Sequence, residues 1–395
     1  MLDSVRARFA ATPPKLFHNP RAEISSGWPE DLESLLGRED CVAARLDVAA
    51  WPDYAPTPLK DLPGLAQAAG LASLSYKDEG GRFGLGSFKA LGGPLAVRRL
   101  LARNPDAGNA APRVTVACAT DGNHGRAVAW AAQAFGCASA IYIHEGVSQG
   151  REDAIARYGA RVVRVPGVYD DSLRRAQADS KENGWILVSD TAGDDFDQTQ
   201  LDILQGYTTL ADEALTQLGQ APTHIFVQGG VGGLAAAVCG HVWQVLGDER
   251  PHTSIVEPEK AACLYVSAVN GKPTLFPGDL ETVMACLAAG EVNVPAWRIL
   301  DRAADTFMTV PDEAAVAGMC LLAEGIDGDA PVVAGESGVA ALAGLLAACA
   351  DDSARTSLGL TDDSRVLVIG SEGATDPQLY QRIVGRSPDE VGGGS

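Results

Sequence analysis

The sequence predicts an α/β fold that consists of two parallel-sheet units with a ligand-binding cleft between them. Short β-rich runs alternate with amphipathic stretches from about residue 114 to residue 190, and this alternation is typical of a parallel sheet covered by helices. A second series of the same kind runs from residue 224 to residue 370. The chain has 395 residues, of which 46% are hydrophobic, so both units are large enough to have a core. Sheets of this type usually bind ligands where their strands end.

The first series contains four predicted strands with three helices between them. The strands are VTVACAT (114–120), SAIYIH (139–144), ARVVRV (160–165) and WILVSD (185–190), and the helices lie near residues 126–135, 151–158 and 169–182. Each strand is a short β-rich run that is followed by a turn containing glycine. This pattern predicts one parallel sheet with helices on both faces.

The second series follows a helix that is predicted near residues 201–218. Its strands are HIFVQ (224–228), TSIVE (253–257) and RVLVIG (365–370), and a helix is predicted over about 234–246. The first 75 residues are rich in proline and less periodic, so no elements are predicted there.

Composition excludes several classes of protein. A net charge of −20 repels a phosphate backbone, so nucleic acid is not an expected partner. The apolar runs are shorter than the roughly 20 residues of a membrane helix, and the N-terminus lacks the apolar stretch of a secretory signal. The eight cysteines include no C-x-x-C pair and the six histidines have no metal-site spacing. We therefore expect a cytoplasmic globular protein with buried thiols, no metal and no membrane partner.

A glycine-rich segment separates the strand at 224–228 from the next helix. It reads Gln-Gly-Gly-Val-Gly-Gly-Leu-Ala over residues 228–235, and its backbone N–H groups, with the helix N-terminus, are suited to bind a phosphate. Residues 230–235 also match the dinucleotide pattern G-x-G-x-x-A, and Glu257 ends the next strand. A Rossmann site for NAD is therefore an open alternative, and an ordinary tight turn is another.

A single lysine lies in an apolar, glycine-flanked segment, FGLGSFKALGG at 83–93. A lysine in these surroundings must be paired or functional. Desolvation would lower the pKa of Lys89 and make its amine a nucleophile. The alternative is a lysine whose methylene stem packs while the ammonium group reaches water.

Two more segments place polar side chains after predicted strands. The first, ATDGNHG at 119–125, combines a hydroxyl, a carboxylate, an amide and an imidazole at a helix N-terminus: Thr120, Asp121, Asn123 and His124. Helix capping is the alternative explanation for the first three of them. The second, GSEGATD at 370–376, puts Ser371 at the end of a strand, where its hydroxyl would face the ligand crevice unless the segment is a simple turn.

Taken together and in their order along the chain (lysine segment, asparagine segment, glycine loop, serine segment), the four segments resemble the fold-type II enzymes that use pyridoxal 5′-phosphate (PLP). These enzymes form the tryptophan-synthase-β and threonine-dehydratase group. Within that group the chain is most similar to the diaminopropionate ammonia-lyases, through FGLGSFKALGG (83–93), ATDGNHGRAVAWAA (119–132), SDTA (189–192), QGY (205–207) and GESG (335–338). The resemblance covers roughly residues 76–377. It implies a large cofactor-binding domain of residues 1–105 and 200–395, a small mobile domain of residues 106–199, an active site between them and a homodimer.

The resemblance also implies a role for each candidate residue. Lys89 would hold PLP beside Phe88, Asn123 would contact the ring oxygen, and Ser371 would face the ring nitrogen. The phosphate would be held by Gly229, Gly230, Val231, Gly232 and Gly233. Thr120, Asp121 and His124 would contact the substrate. Lys89 and Asp121 would take protons from opposite faces of the substrate, and Asp190 would be a general acid.

The activity that this resemblance implies is that of a carbon-nitrogen lyase, an α,β-elimination on a β-substituted amino acid. The expected substrate is 2,3-diaminopropionate, converted to pyruvate and ammonia. A dehydratase of a 3-hydroxy amino acid is the alternative, and an NAD-dependent oxidoreductase that uses the Gly230–Ala235 loop is a more distant one. The family usually continues Asp-Thr-Ala with Trp-Glu-Gly-Tyr, whereas this chain reads GDDFD at 193–197. That acidic loop either favours a cationic or polyhydroxylated substrate or is simply solvated, and we expect the latter.

Overall fold

The structure is a computed structural model, and it describes residues 2–23, 27–104, 114–120, 122–191 and 196–393. Within these ranges the chain forms eleven strands. They are β1 (Lys15–His18), β2 (Leu59–Asp61), β3 (Ser73–Asp78), β4 (Thr115–Ala119), β5 (Ala138–His144), β6 (Arg161–Val165), β7 (Ile186–Leu187), β8 (His224–Gln228), β9 (His252–Pro258), β10 (Thr306–Val310) and β11 (Arg365–Gly370).

Sixteen α-helices lie in the same ranges, and none of them is long and apolar enough to cross a membrane. They are α1 (Leu2–Phe9), α2 (Arg38–Ala49), α3 (Pro63–Ala69), α4 (Lys89–Arg103), α5 (Asn123–Phe135), α6 (Gln149–Ala156), α7 (Tyr169–Asn183), α8 (Gln198–Gln217), α9 (Gly233–Leu246), α10 (Cys263–Asn270), α11 (Val294–Ala303), α12 (Asp312–Glu324), α13 (Ala340–Ala350), α14 (Asp352–Ser357), α15 (Pro377–Val384) and α16 (Pro388–Val391).

The strands form two sheets. The larger has the order β1-β10-β9-β8-β11-β3-β2, with five parallel strands in the middle and the antiparallel strands β1 and β2 at its edges. The smaller, β6-β5-β4-β7, is entirely parallel. The predicted α/β fold with two parallel sheets is therefore confirmed. The division into domains at residues 105 and 199 stays a prediction.

The core lies on both faces of each sheet, as parallel sheets require. On β8 of the large sheet, Phe226 packs toward α13, while Ile225 and Val227 face the side that is covered by α4, α8 and α9. In the small sheet α7 covers one face and α5 the other. Every predicted strand is present, and β1, β2, β3 and β10 are additional strands that the sequence pattern did not indicate.

Four charged side chains form a buried network ahead of Lys89. Glu213 of α8 accepts hydrogen bonds from Lys77 Nζ of β3 (2.7 Å) and from both terminal nitrogens of Arg82 (2.7 and 2.8 Å). The Arg82 guanidinium also donates to Glu79 (2.7 and 2.8 Å). All four residues are buried. Two positive and two negative charges therefore compensate each other and tie α8 to the chain segment that precedes the lysine helix.

Replacing Glu213 with glutamine is expected to destabilise the fold by about 3–5 kcal/mol, because Lys77 and Arg82 would share a single buried carboxylate. The measurement is the free energy of unfolding from urea titrations. Glu324→Gln is the matched control, since Glu324 is 51% exposed and its pair with Arg8 (2.8 Å) is a surface one, for which about 1 kcal/mol or less is expected. Equal losses for the two variants would contradict the prediction.

Candidate active site

A cavity of about 990 Å³ lies where the strands of both sheets end. It is lined by the residues that follow β4, β7, β8 and β11, together with the start of α4 and the segment 273–294. Ligands of α/β proteins bind at the carboxyl ends of the strands. The four polar segments that the sequence analysis singled out therefore meet in one cleft.

Lys89 is the first residue of α4, and its amine lies inside this cleft. Lys89 Nζ is 2.5 Å from Asp190 Oδ2, and it also lies 5.1 Å from the ring centre of Phe88 and 5.7 Å from that of Tyr207. Burial raises the pKa of the Tyr207 phenol to about 12, so Tyr207 is neutral near pH 7. Lys89 is thus held between one carboxylate and two aromatic rings.

The charge states of this pair differ from the sequence expectation. Burial alone would lower the pKa of Lys89, but the charge and hydrogen bond of the Asp190 carboxylate, together with contributions from Tyr207 and Cys286, raise it above the usual value for lysine. Burial alone would raise the pKa of Asp190, but the charge and the hydrogen bond of the Lys89 ammonium hold it well below the usual range for a carboxyl. Without a bound cofactor, Lys89 is therefore an ammonium ion and Asp190 a carboxylate. Asp190 must therefore receive a proton before it can act as the predicted general acid.

His124 lies on the other side of Asp190. Its Nε2 is 2.8 Å from the carbonyl oxygen of Val188, which can only accept, so Nε2 carries the hydrogen. Its Nδ1 is 3.8 Å from Asp190 Oδ2 and has no hydrogen-bond partner among the described residues. Burial lowers the pKa of His124, and the ring is neutral at pH 7. Its predicted role in substrate binding stays a prediction.

Asn123, the first residue of α5, is held from both sides. Its Nδ2 donates to Glu372 Oε2, and its Oδ1 accepts a hydrogen bond from Arg126 Nη2 at 2.9 Å.

Thr120 is also held in place, because its Oγ1 accepts hydrogen bonds from the backbone N–H groups of Gly122 and Gly125 (3.0 Å each). That geometry supports the capping interpretation for Thr120. Asp121 and residues 192–195 lie outside the described residues.

The glycine loop follows β8 and leads into α9. Gly230 (φ +66°) and Gly232 (φ +102°) have left-handed backbones that a side chain would strain. A Cβ on Gly229 would lie 2.6 Å from Glu257 Cγ, so the loop packs too closely for any other residue. Val231 is anchored through its carbonyl oxygen, which accepts the N–H of Asn293 at 2.8 Å. Gly229, Gly230, Val231 and Gly233 line the cavity, as a phosphate-binding loop must.

Glu257 does not support the NAD alternative. Its side chain is completely buried, and it accepts the backbone N–H groups of Leu264 (3.0 Å) and Tyr265 (2.7 Å) at the start of α10. Burial raises the pKa of this carboxyl to about 8. A carboxylate that binds a ribose must face the ligand. Glu257 instead caps a helix behind the glycine loop.

Ser371 follows β11 and lines the cavity. Gln228 Nε2 donates to its Oγ at 2.6 Å, so the hydroxyl hydrogen is free to donate to a ligand. Its carbonyl oxygen accepts the N–H of Phe88 at 3.0 Å, which joins the end of β11 to the lysine segment.

Asp197, from the divergent acidic loop, accepts the N–H of Thr199 (2.7 Å) and caps α8.

The sequence analysis gave no role to a second set of charged residues, of which Glu372 lines the cavity and Glu336 and Arg151 lie close to Glu372. Glu372 is buried, and Arg151 Nη2 donates to the buried Glu336 at 3.0 Å. Burial and the negative charge of Glu372 raise the pKa of Glu336 to about 7. Both glutamates belong to short glycine-containing segments, GSEG after β11 and GESG ahead of α13. An acidic residue beside glycine was the only available signal.

Comparison with known proteins agrees with this geometry. The model of the family described as pyridoxal-phosphate dependent enzyme matches residues 50–371. The chain belongs to this family. Diaminopropionate ammonia-lyase from Escherichia coli (strain K12) is 41% identical over 349 residues, covering 84% of this chain and 87% of the relative. Two crystal structures of the Escherichia coli diaminopropionate ammonia lyase also match, one in complex with D-serine and one with an aminoacrylate-PLP azomethine reaction intermediate. Each has a TM-score of 0.87 and a sequence identity of 36%, and each match covers 94% of this chain and 97% of the crystallised chain.

The residues in the cleft fit the cofactor of this PLP-dependent family. Lys89 offers an amine in the cleft, and the left-handed glycines Gly230 and Gly232 shape a backbone loop suited to a phosphate. Gln228 Oε1 and His124 Nδ1 are buried and have no hydrogen-bond partner among the described residues, which is unusual unless a ligand completes the site. Membership of the PLP family also removes the NAD-dependent oxidoreductase as an alternative.

Proposed function

We propose that this chain is a PLP-dependent ammonia-lyase that converts 2,3-diaminopropionate to pyruvate and ammonia. The Lys89–Asp190 pair in a cleft bounded by the glycine loop is the observation that carries the proposal. Relatives that bear the name diaminopropionate ammonia-lyase and align over most of the chain support the substrate. The reaction loses the β-amino group, so the protein must move one proton from the substrate Cα and deliver one to the departing nitrogen.

The residues in the cleft are suited to these proton transfers. PLP, when bound, supplies an electron-withdrawing ring that makes the Cα hydrogen acidic. Lys89 holds the cofactor, the glycine loop holds its phosphate, and Asn123 and Ser371 contact the ring. Lys89, once released as a free amine, takes the Cα proton. Asp190, at 2.5 Å from Nζ, receives a proton from the Lys89 ammonium and delivers it to the leaving group.

The Asp190 carboxylate also suits the β-amino group of the substrate. Diaminopropionate carries a β-amino group with two N–H donors, and Asp190 is a carboxylate that loses its cationic partner when Lys89 holds the cofactor. A β-hydroxyl offers Asp190 only one donor. This difference favours the diamino substrate over the alternative dehydratase substrate.

The remaining assignments are part of the same proposal. We propose a large cofactor-binding domain of residues 1–105 and 200–395 and a small mobile domain of residues 106–199. None of the eight cysteines, all of which lie in the described ranges, forms a disulfide, which supports a cytoplasmic location. A homodimer is proposed from the family resemblance, and light scattering at micromolar concentration tests it, since a mass equal to one chain would contradict a stable dimer.

A substrate panel tests the proposed reaction. The purified protein is loaded with PLP and incubated with both enantiomers of 2,3-diaminopropionate, serine and threonine, and 2-oxo acid release is measured. We expect the highest kcat/KM for diaminopropionate. Higher turnover of serine or threonine would replace the ammonia-lyase assignment with a dehydratase, and release from none of the substrates would contradict both.

A variant at Asp121 tests whether the enzyme uses two bases, Asp121 and Lys89, or Lys89 alone. If Asp121 serves one face of the substrate and Lys89 the other, Asp121→Asn is expected to lower kcat for the D-enantiomer by about 10²–10⁴-fold and to affect the L-enantiomer much less. Asparagine caps a helix as well as aspartate does, so a purely structural Asp121 would give small losses on both. Parallel kinetics on the two enantiomers decide, and equal losses of any size contradict the two-base assignment.

A further inference from the structure

Glu372 is a buried carboxylate in the cleft that the proposed reaction does not use. Its side chain is 2% exposed, and the segment that carries it follows strand β11. Oε2 accepts hydrogen bonds from Asn123 Nδ2 and from Thr375 Oγ1 (3.1 Å), and Oε1 accepts the backbone N–H of Ser337 (3.3 Å). The Cys286 thiol lies 3.6 Å from Oε2. A carboxylate with this many donors is fixed in position.

This arrangement determines the orientation of the Asn123 amide. Arg126 can only donate hydrogen bonds, and an ionised Glu372 can only accept them. Asn123 Oδ1 must therefore face Arg126 (2.9 Å), and Asn123 Nδ2 must face Glu372. Turning the amide by 180° would break both hydrogen bonds and place like groups against each other.

The Asn123 amide has one N–H that Glu372 does not take. The Cys286 Sγ atom, 3.4 Å from Nδ2, is only a weak acceptor. A stronger acceptor in the cleft would therefore capture this hydrogen. Without Glu372, Arg126 alone would hold the amide through its oxygen, and the amide nitrogen would lose the acceptor that fixes the direction of its N–H groups.

The backbone of Glu372 is tied to the lysine segment. Glu372 forms an isolated antiparallel bridge with Ser87, two residues before Lys89. The N–H of Gly373 donates to the carbonyl oxygen of Gly86 at 3.0 Å. One residue therefore contacts the loop that carries Lys89 through its backbone and the helix that begins at Asn123 through its side chain.

We propose that Glu372 is a positioning residue that keeps one N–H of Asn123 directed to the ring oxygen of PLP. The proposal rests on the function proposed above, in which Asn123 contacts that oxygen. Glu372 itself does not contact the reacting atoms in this scheme. Its effect on the cofactor passes through Asn123.

A double-mutant cycle tests the proposal, with PLP as the probe. The apparent dissociation constant of PLP and the visible absorption band of the bound cofactor are measured for the wild type, Glu372→Ala, Asn123→Ala and the double variant. We expect Glu372→Ala to weaken PLP binding by about tenfold and to shift the band. In the Asn123→Ala background, removing Glu372 should change either quantity by less than about twofold.

Matched variants keep the test decisive. Thr375→Ala removes another donor to the same carboxylate and is expected to change PLP binding by less than about twofold. If Glu372→Ala does not fold, Glu372→Gln replaces it in the cycle, because glutamine keeps the volume but offers one acceptor oxygen where Glu372 offers two.

Three results would overturn the proposal. They are losses that multiply in the double variant, an unchanged band in a folded Glu372 variant, and a Thr375→Ala effect as large as that of Glu372→Ala. A wild-type protein that takes up no PLP would overturn the proposed function as well. That result appears in the wild-type titration, so failure of the function and failure of the positioning role are distinguishable.

Discussion

Lys89→Ala is expected to eliminate the visible band of bound PLP and to lower turnover by more than about 10⁴-fold. Lys89 is both the covalent anchor of the cofactor and the first base, and losing a general base alone costs about 10²–10⁴-fold. No described residue offers a second amine in its place, because Lys77, a completely buried lysine, is engaged with Glu213 and a backbone carbonyl. The measurements are an absorption spectrum after PLP loading and steady-state kinetics.

Two variants control this experiment. Lys60→Ala removes a partly exposed lysine that pairs with Asp78 at 2.8 Å, and it should leave the band and turnover unchanged. Lys89→Arg keeps a cation beside Asp190 and supports folding, but its guanidinium does not deprotonate at neutral pH and cannot anchor the cofactor. A band that persists in Lys89→Ala, or borohydride labelling of a different lysine in the wild type, would show that Lys89 is not the anchor.

Asp190→Asn is expected to lower kcat by about 10²–10⁴-fold while the protein still binds PLP. Asparagine has nearly the same shape as aspartate, but it cannot take a proton from Lys89 or deliver one to the leaving group. Asp197→Asn is the matched control, because Asp197 lines the same cavity but caps α8, and asparagine caps equally well. Similar losses for the two variants would remove Asp190 from the proposed proton path.

The same variant has an expected pH dependence. The Asp190 charge raises the pKa of Lys89 against the effect of burial, so removing that charge must lower the pKa. Attachment of an aldehyde requires the neutral amine. The pH midpoint for cofactor attachment should therefore move downward in Asp190→Asn relative to the wild type. A midpoint that stays in place or rises would contradict the direct pairing of Lys89 with Asp190.

Local pattern was sufficient to predict the fold class and the main site segments. Each strand of the small sheet is a short β-rich run followed by a glycine-containing turn, and β8 with its glycine loop has the same form. These signals are local because backbone conformation depends on neighbouring residues. The strands β1 and β2 lie at sheet edges in the proline-rich region, where burial is partial and the alternation of apolar residues is weak.

The sequence by itself determined that a lysine, an amide and a glycine loop would be available, and the resemblance placed them in one family. Only the tertiary structure decided their partners and charges. Asp190 lies 101 residues from Lys89 along the chain and Glu372 lies 249 residues from Asn123, and Glu257 proved to be a buried cap behind the glycine loop. Burial and Coulomb interactions depend on which side chains the packed sheets bring within a few ångströms. That proximity has no signature in local sequence.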